Sequence, residues 1–175
     1  MLTPGNPVPA LKIETVAQGS FDLEADKGEN GTLVIQYRGL HCPICVKQMT
    51  EVEAALDDFA ALGVEVIMIT TDTAERAAET AEKAGAKRLR VGHSLPLAAA
   101  REDWGLNIST KREGSAEPDL FAEPGHFYIA PDQTLYYAWQ QTTPFGRPSM
   151  ADIAGGLKFT LGNNYPARGT YTGPL

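Results

Sequence analysis

One strand-to-helix junction constrains the fold of this chain more than any other part of its sequence. Residues 33–37 are apolar on both faces of the predicted strand, which is typical of a strand buried inside a parallel sheet. Gly39 then predicts a tight turn, and apolar residues at three- and four-residue steps predict a helix over residues 46–62. Between the turn and the helix lie Cys42 and Cys45, which are the only two cysteines in 175 residues.

The spacing of the two cysteines is that of a reactive pair. Residues three apart in the first turn of a helix lie close enough for two sulfurs to bond. The unpaired N–H groups and the positive dipole end at a helix N-terminus favour a thiolate, which is the nucleophilic form. Pro43 suits the first helical position, where its missing N–H costs nothing. We therefore interpret Cys42 as the attacking thiol, exposed at the turn, and Cys45 as the more buried resolving thiol.

These residues resemble a known family. The string Cys-Pro-Ile-Cys at 42–45, after an apolar strand, resembles the dithiol motif of the thioredoxin-like superfamily. The longer string Tyr-Arg-Gly-Leu-His-Cys-Pro-Ile-Cys at 37–45 is more similar to peroxiredoxin-like proteins of the alkyl-hydroperoxide-reductase/thiol-specific-antioxidant (redoxin) group. The similarity extends over about residues 5–161. It implies an α/β, thioredoxin-like fold: a three-layer α/β/α sandwich around a mixed central sheet, with an N-terminal hairpin extension.

The length and periodicity of the chain agree with one domain. A chain of 175 residues is large enough to bury a core without staples. We assign residues 1–175 to a single domain, with the N-terminal extension over 1–32 and a C-terminal tail over 162–175. Residues 106–122 have no clear period and predict a loop. The other predicted elements are a strand at 64–70, a helix at 73–84 opened by a capping box of Asp72 and Glu75, an edge strand at 87–91, a short helix at 97–104, a hairpin at 127–139, and a final helix at 150–161 capped by Ser149.

Charge and composition exclude several classes of partner. The formal net charge is −7 and no long run of lysine or arginine occurs, which argues against nucleic acid and anionic membranes as partners. The N-terminus has no basic segment followed by an apolar one, and no apolar run has the length of a membrane span. We therefore predict a cytoplasmic protein of a reducing compartment, where a CxxC pair is more often catalytic or metal-binding than a structural disulfide.

Several residues around the dithiol are candidates for supporting roles. The resemblance implies a cis-proline just before the strand that faces the dithiol, and Pro124 matches that position. His41 either stabilises a thiolate and takes up a proton or is an exposed turn residue. His126 either points towards the sulfurs or is a hydrogen-bonded structural histidine, and Arg38 either holds a thiolate or peroxide oxygen or points away. The two prolines and the glycine of segment 143–149 fix its shape, so it is either a rim of the site or a subunit contact, or else a plain connector, which is the interpretation we favour.

Two redox functions follow from the dithiol, and we first favour thiol–disulfide exchange. Attack by the Cys42 thiolate on a disulfide gives a mixed disulfide, whereas attack on a peroxide gives a sulfenic acid, and Cys45 resolves either. The resemblance implies a threonine three residues before a peroxidatic cysteine. The residue three positions before Cys45 is Cys42, and the residue three positions before Cys42 is Gly39, so neither cysteine has this threonine. The missing threonine favours disulfide exchange over a thiol peroxidase, although residues 92–96 resemble the peroxiredoxin pattern.

The sequence also bears on cofactors and partners. No G-x-G-x-x-G follows a strand, so we expect no flavin or nicotinamide cofactor and an external dithiol reductant of the thioredoxin or glutaredoxin type. A structural zinc site needs four ligands, and no second CxxC exists. The two sulfurs can instead hold copper(I), which leaves a copper(I)- or redox-sensing binding protein as a further alternative. Peroxiredoxin-like relatives often dimerise, so the resemblance leaves a homodimer open.

Overall fold

A five-stranded mixed sheet lies at the centre of the molecule. The computed structural model describes residues 2–174. The strands are β1 (Lys12–Glu14), β2 (Ser20–Asp22), β3 (Thr32–Gln36), β4 (Glu65–Ile69), β5 (Arg90–Gly92), β6 (Ile108–Thr110), β7 (Leu120–Ala122), β8 (Gly125–Ile129) and β9 (Leu135–Gln140). The sheet has the order β5-β4-β3-β8-β9, in which β3, β4 and β5 are parallel and β8 runs antiparallel to both β3 and β9. The helices are α1 (Pro43–Ala61), α2 (Ala74–Ala84) and α3 (Met150–Gly162), with one turn of π-helix at Ala99–Asp103.

The two faces of the sheet are covered by different layers. Helices α1, α2 and α3 pack on one face, where the buried cluster includes side chains from β3, β4 and all three helices. The β1–β2 hairpin and the π-helical turn cover the other face through Phe21, Leu23 and Trp104. The three layers and the N-terminal hairpin are therefore as the resemblance implies. In residues 2–174, no helix combines the length and the apolar character that crossing a membrane requires.

Helix α1 carries the second cysteine into the core. It begins at Pro43, three residues earlier than the periodicity predicts, because the proline occupies its first turn. Its buried residues include Cys45, Met49, Val52 and Phe59, which recur at steps of three, four and seven residues and so form one apolar face. Cys45 is the first member of that face, and its side chain is therefore buried by the same packing that docks the helix on the sheet.

Asp72, three residues after the end of β4, holds the turn that precedes the dithiol. The predicted capping box is wrong, because Thr73 is the N-cap of α2 and its side chain accepts a hydrogen bond from the Arg76 backbone N–H. The buried Asp72 carboxylate instead accepts hydrogen bonds from the Leu40 backbone N–H at 2.8 Å and from Arg76 Nε at 3.0 Å. This carboxylate lies so close to the backbone of residue 39 that a Cβ atom there would clash with it, and the φ of +135° also favours glycine, so Gly39 is required.

The predicted loop at 106–122 is wrong, because it contains the β6–β7 hairpin. Ile108 pairs with Ala122 at its open end. Each strand has only three residues, which is too short for an apolar period to be recognised. The loop between them folds around Glu117, which is 3% exposed and accepts hydrogen bonds from the backbone and side chain of Arg112 and from Ser115. Polar contacts therefore stabilise this hairpin.

Candidate active site

The two cysteines are free thiols at the start of α1, and both are less accessible than their position on a turn suggests. Cys42 is the N-cap residue of α1 and is 2% exposed, and Cys45 is fully buried. The prediction that Cys45 is the more buried thiol is confirmed, whereas the prediction that Cys42 is exposed is wrong. A pocket of about 530 Å³ reaches Cys42 between the dithiol turn and the segment after β9. Its lining residues are Arg38, His41, Cys42, Pro43, Ile44, Arg112, Glu123, Thr142, Thr143, Pro144 and Phe145.

Arg147 is the charged side chain that contacts both sulfurs, and the sequence analysis missed it. Its Nη2 lies 3.1 Å from Cys45 Sγ and 3.9 Å from Cys42 Sγ. It belongs to the segment 143–149, so the favoured interpretation of that segment as a plain connector is wrong and the alternative of a rim of the site is confirmed. The available signal was a lone cation held between two prolines and next to a glycine, but nothing local indicated that its partners are 102 and 105 residues away.

His126 reaches the sulfurs only through two other side chains. A second nitrogen of Arg147, Nη1, donates to Gln48 Oε1, and the Gln48 amide lies 2.7 Å from His126 Nε2. Because the amide oxygen of Gln48 is already occupied by Arg147, its NH₂ group donates and His126 Nε2 accepts. Burial, with a smaller contribution from the positive charge of Arg147, lowers the pKa of His126 to about 3. This histidine is therefore a neutral acceptor, and no direct contact with the sulfurs is found.

Arg38 and His41 lie together on the pocket wall, against one aromatic ring. The Arg38 guanidinium lies 4.6 Å from the centre of the Phe121 ring, with Nη2 3.4 Å from Glu117 and Nε 3.1 Å from Glu123. The alternative in which Arg38 points away from the site is therefore wrong. His41 packs on the same ring at 4.7 Å and is half-buried. Burial and the charge of Arg38 lower the pKa of His41, so its imidazole is neutral near pH 7.

Pro124 does not adopt the predicted cis conformation. No peptide bond within residues 2–174 is cis, so this prediction is wrong. The Glu123 backbone N–H donates to Asn107 O at 2.8 Å, and Pro124 O accepts from the Gln141 backbone N–H at 3.0 Å. Glu123 thus continues the pairing of β7 with β6, and Pro124 continues that of β8 with β9, which the more stable trans bond satisfies. Glu123, rather than Pro124, lines the pocket next to Cys42.

The two thiols have opposite electrostatic environments. A hydrogen bond from the Cys45 thiol, helped by the positive charge of Arg147 and a contact with Arg38, lowers the pKa of Cys42 to about 5. No side chain caps α1, so the backbone N–H groups of its first turn are left to stabilise charge on this sulfur. Burial and the neighbouring Cys42 raise the pKa of Cys45 well above its ordinary value. The pair therefore holds one negative charge near neutral pH, and this charge lies on Cys42.

Alkylation by iodoacetamide is expected to reveal this difference. Because the thiolate is the reactive form, modification of Cys42 should accelerate as the pH rises through about 5 and level off below pH 7. In Cys45→Ala the midpoint should move upwards, since the largest cause of the lowered pKa is removed. Mass spectrometry of peptides alkylated across the pH range measures both midpoints. A wild-type midpoint near 9, the value of an ordinary cysteine thiol, would contradict the lowered pKa of Cys42.

A buried parallel strand followed by a dithiol at a helix N-terminus, on a mixed sheet with helices on one face, defines a thioredoxin-like redox protein. The chain belongs to the AhpC/TSA family, whose model matches residues 4–138. It is accordingly a thiol-dependent enzyme, a peroxidase or oxidoreductase of the peroxiredoxin type. No match was found among curated protein sequences.

Solved structures of peroxiredoxins share the fold at low sequence identity. Peroxidoxin BcpB from Mycobacterium tuberculosis is 17% identical with a TM-score of 0.70, covering 91% of this chain and 98% of its own. The reduced 2-Cys peroxiredoxin of Plasmodium vivax is 16% identical with a TM-score of 0.75, covering 94% and 86%. The yeast mitochondrial 1-Cys peroxiredoxin, whose thiol is resolved via glutathione/thioredoxin systems, is 14% identical with a TM-score of 0.71, covering 94% and 80%. These likenesses establish the thioredoxin-like fold.

Proposed function

We propose that this protein is a thiol peroxidase that reduces hydroperoxides through Cys42. The observation that carries the proposal is the position of the Cys42 sulfur, which has a pKa of about 5 and lies on the pocket wall beside Arg38 and His41. A thiolate at neutral pH, in a pocket that also holds a cationic donor, suits attack on a neutral peroxide oxygen. This reverses the preference for disulfide exchange that the missing threonine suggested, and the family supports the reversal.

The proposed reaction proceeds in two steps that use the two sulfurs in turn. The Cys42 thiolate attacks the terminal peroxide oxygen, so that an S–O bond forms while the O–O bond breaks. The departing alkoxide or hydroxide takes up a proton and leaves as alcohol or water, and Cys42 is oxidised to a sulfenic acid. The Cys45 thiol then condenses with this sulfenic acid, which releases water and leaves a Cys42–Cys45 disulfide.

Arg38 and His41 are proposed to supply the hydrogen bonds that a threonine hydroxyl would otherwise offer. The Arg38 guanidinium is held by Glu117 and Glu123, and it can donate to a peroxide oxygen as negative charge develops there. Neither ring nitrogen of His41 has a hydrogen-bond partner among the described residues, so the neutral ring is free to donate or to accept. Both side chains line the same pocket as Cys42.

The disulfide must be reduced again by an external partner. We propose a dithiol protein of the thioredoxin or glutaredoxin type, in keeping with the glutathione/thioredoxin systems named for the yeast structure. We also propose that the enzyme works in the cytoplasm without a resident cofactor. A homodimer is the proposed assembly, since many relatives dimerise and Trp139 is 39% exposed on the edge strand β9.

Stopped-flow oxidation of the reduced protein by hydrogen peroxide and by cumene hydroperoxide tests the proposal. Tryptophan fluorescence and thiol counts should show oxidation about a hundredfold or more faster than a free thiolate of the same pKa, because fixed donors contribute at least that much. The reaction should end in a Cys42–Cys45 disulfide. Rates equal to those of a free thiolate would reject the peroxidase.

Thiol–disulfide exchange is the second candidate, because one observation favours it. Phe145 is 66% exposed at the rim of the Cys42 pocket, where an apolar side chain can contact a protein disulfide substrate. The copper(I)-binding alternative is disfavoured by charge. The guanidinium of Arg147 already lies 3.1 Å from Cys45 Sγ, and a second cation held by both sulfurs would be repelled by it.

A further inference from the structure

From the position of Arg147 we infer that this residue is catalytic for the resolving step: it stabilises the thiolate of Cys45 while Cys45 attacks the oxidised Cys42. The inference rests on the proposed order of the two sulfurs, with Cys42 reacting first. It assigns separate arginines to the two half-reactions, Arg38 to the substrate and Arg147 to disulfide formation.

The first argument is the geometry of the guanidinium. Arg147 Nη2 is within hydrogen-bond distance of Cys45 Sγ, at 3.1 Å, whereas Cys42 Sγ is 3.9 Å away. The substrate pocket is lined by Cys42 but by neither Cys45 nor Arg147. Arg147 lines a separate cavity of about 270 Å³ together with Gln48 and Ser149. The arginine is therefore placed to act on the sulfur that the substrate does not reach.

The second argument is that the guanidinium is held in this position by its remaining nitrogens. Nε donates to Pro144 O at 3.1 Å, and Nη1 donates to Gln48 Oε1. Gln48 is itself 3% exposed and is fixed by its contact with His126. These two nitrogens are thus engaged, which leaves the third, Nη2, directed at the sulfurs. Gln48 is a positioning residue, because it acts through Arg147.

The third argument is the chemistry that Cys45 must perform. A thiol attacks as its thiolate, but Cys45 is fully buried, and burial without a partner opposes ionisation. In the resolving step the Cys45 proton passes to the departing hydroxide, the S–O bond of the sulfenic acid breaks and the S–S bond forms. Arg147 keeps its protons throughout and balances the negative charge that develops on the Cys45 sulfur.

Removal of Arg147 should affect the two steps unequally. With a pKa of about 5, Cys42 stays largely ionised at neutral pH even if it loses part of its stabilisation. Cys45 is mostly protonated, so each unit by which its pKa rises lowers the thiolate fraction about tenfold. The cost of losing the arginine therefore falls mainly on the second step.

A two-phase reaction with dithiobis(nitrobenzoate), read by absorbance in a stopped-flow instrument, separates the steps. Attack by Cys42 releases one nitrothiobenzoate, and attack by Cys45 on the mixed disulfide releases the second. In Arg147→Met the second phase should slow by about tenfold or more, with the first phase changing by about threefold at most. Arg147→Lys should recover part of the second phase, since the charge returns without the planar fork. Arg101→Met is the matched control and should equal the wild type in both phases, since Arg101 is exposed and pairs with Glu102.

The outcomes distinguish this inference from the proposed function. Because the reagent is a disulfide, the two phases are measured whether or not the wild type reacts quickly with peroxide. A slow reaction with peroxide and a selective loss of the second phase would reject the peroxidase and support the role of Arg147. An unchanged second phase in both Arg147 variants, or equal slowing of both phases, would overturn the inference. The pH midpoint of the second phase should also rise in Arg147→Met, which a purely structural role would not produce.

Discussion

Cys42→Ser should lower kcat/KM for hydroperoxides by about a thousandfold or more, because a serine hydroxyl is not ionised at neutral pH and cannot accept the peroxide oxygen as a thiolate does. The substitution removes the sulfur that lies on the pocket wall and has a pKa of about 5. Consumption of a thioredoxin-type reductant in a coupled assay measures the loss. Circular dichroism of the variant checks that the fold is retained.

Cys45→Ser is the matched control for this prediction. It removes the second sulfur from the core face of α1 but leaves Cys42 in its pocket. This variant should oxidise once and then stop, with a sulfenic acid on Cys42 that dimedone traps for mass spectrometry. The opposite pattern, in which Cys45→Ser loses the first oxidation and Cys42→Ser keeps it, would exchange the roles of the two cysteines. Cys45 would then be the cysteine that reacts with peroxide, and Cys42 would occupy the position three residues before it, where the resemblance implies a threonine.

Gly39→Ala should destabilise the protein by about 2–4 kcal/mol, because the turn before the dithiol tolerates no side chain. A Cβ atom there would lie 2.7 Å from Asp72 Cγ, and φ is +135°, a conformation that residues with a side chain rarely adopt. Relief of the clash would move Asp72 away from the Leu40 backbone N–H, which now donates a hydrogen bond to its carboxylate at 2.8 Å. Urea unfolding measures the loss of stability, and peroxide oxidation should slow in parallel as Cys42 shifts.

Gly155→Ala is the control for the glycine substitution. Gly155 lies within α3, and a Cβ atom there has no neighbour within 4 Å. Alanine should therefore stabilise the helix by up to about 1 kcal/mol. If Gly39→Ala unfolded at the same urea concentration as the wild type, the carboxylate of Asp72 would not be a rigid part of the turn. The account of how β4 positions the dithiol would then need revision.

Patterns between neighbouring residues were sufficient for much of the fold. The apolar run before Gly39 predicted the central buried strand, and Ser149 predicted the start of α3, where its side chain accepts from the Asp152 backbone N–H. The predicted end of the second helix at residue 84 is confirmed, since Gly85, with φ of +68°, is the C-cap of α2. The dithiol and its order of burial were also predictable. Each of these features depends on residues within one or two turns of chain, so the sequence alone contains its cause.

The rest of the site depends on contacts between residues that are far apart in sequence. Arg147 meets Cys45 across 102 residues, and Gln48 meets His126 across 78. The pocket beside Cys42 forms only because the segment after β9 lies opposite the dithiol turn, and the trans form of Pro124 follows from pairing on both of its sides. Sequence spacing indicates where a reactive thiol lies. Which charged group stabilises it is decided by where the segment between β9 and α3 meets α1, because electrostatic stabilisation depends on distance in space.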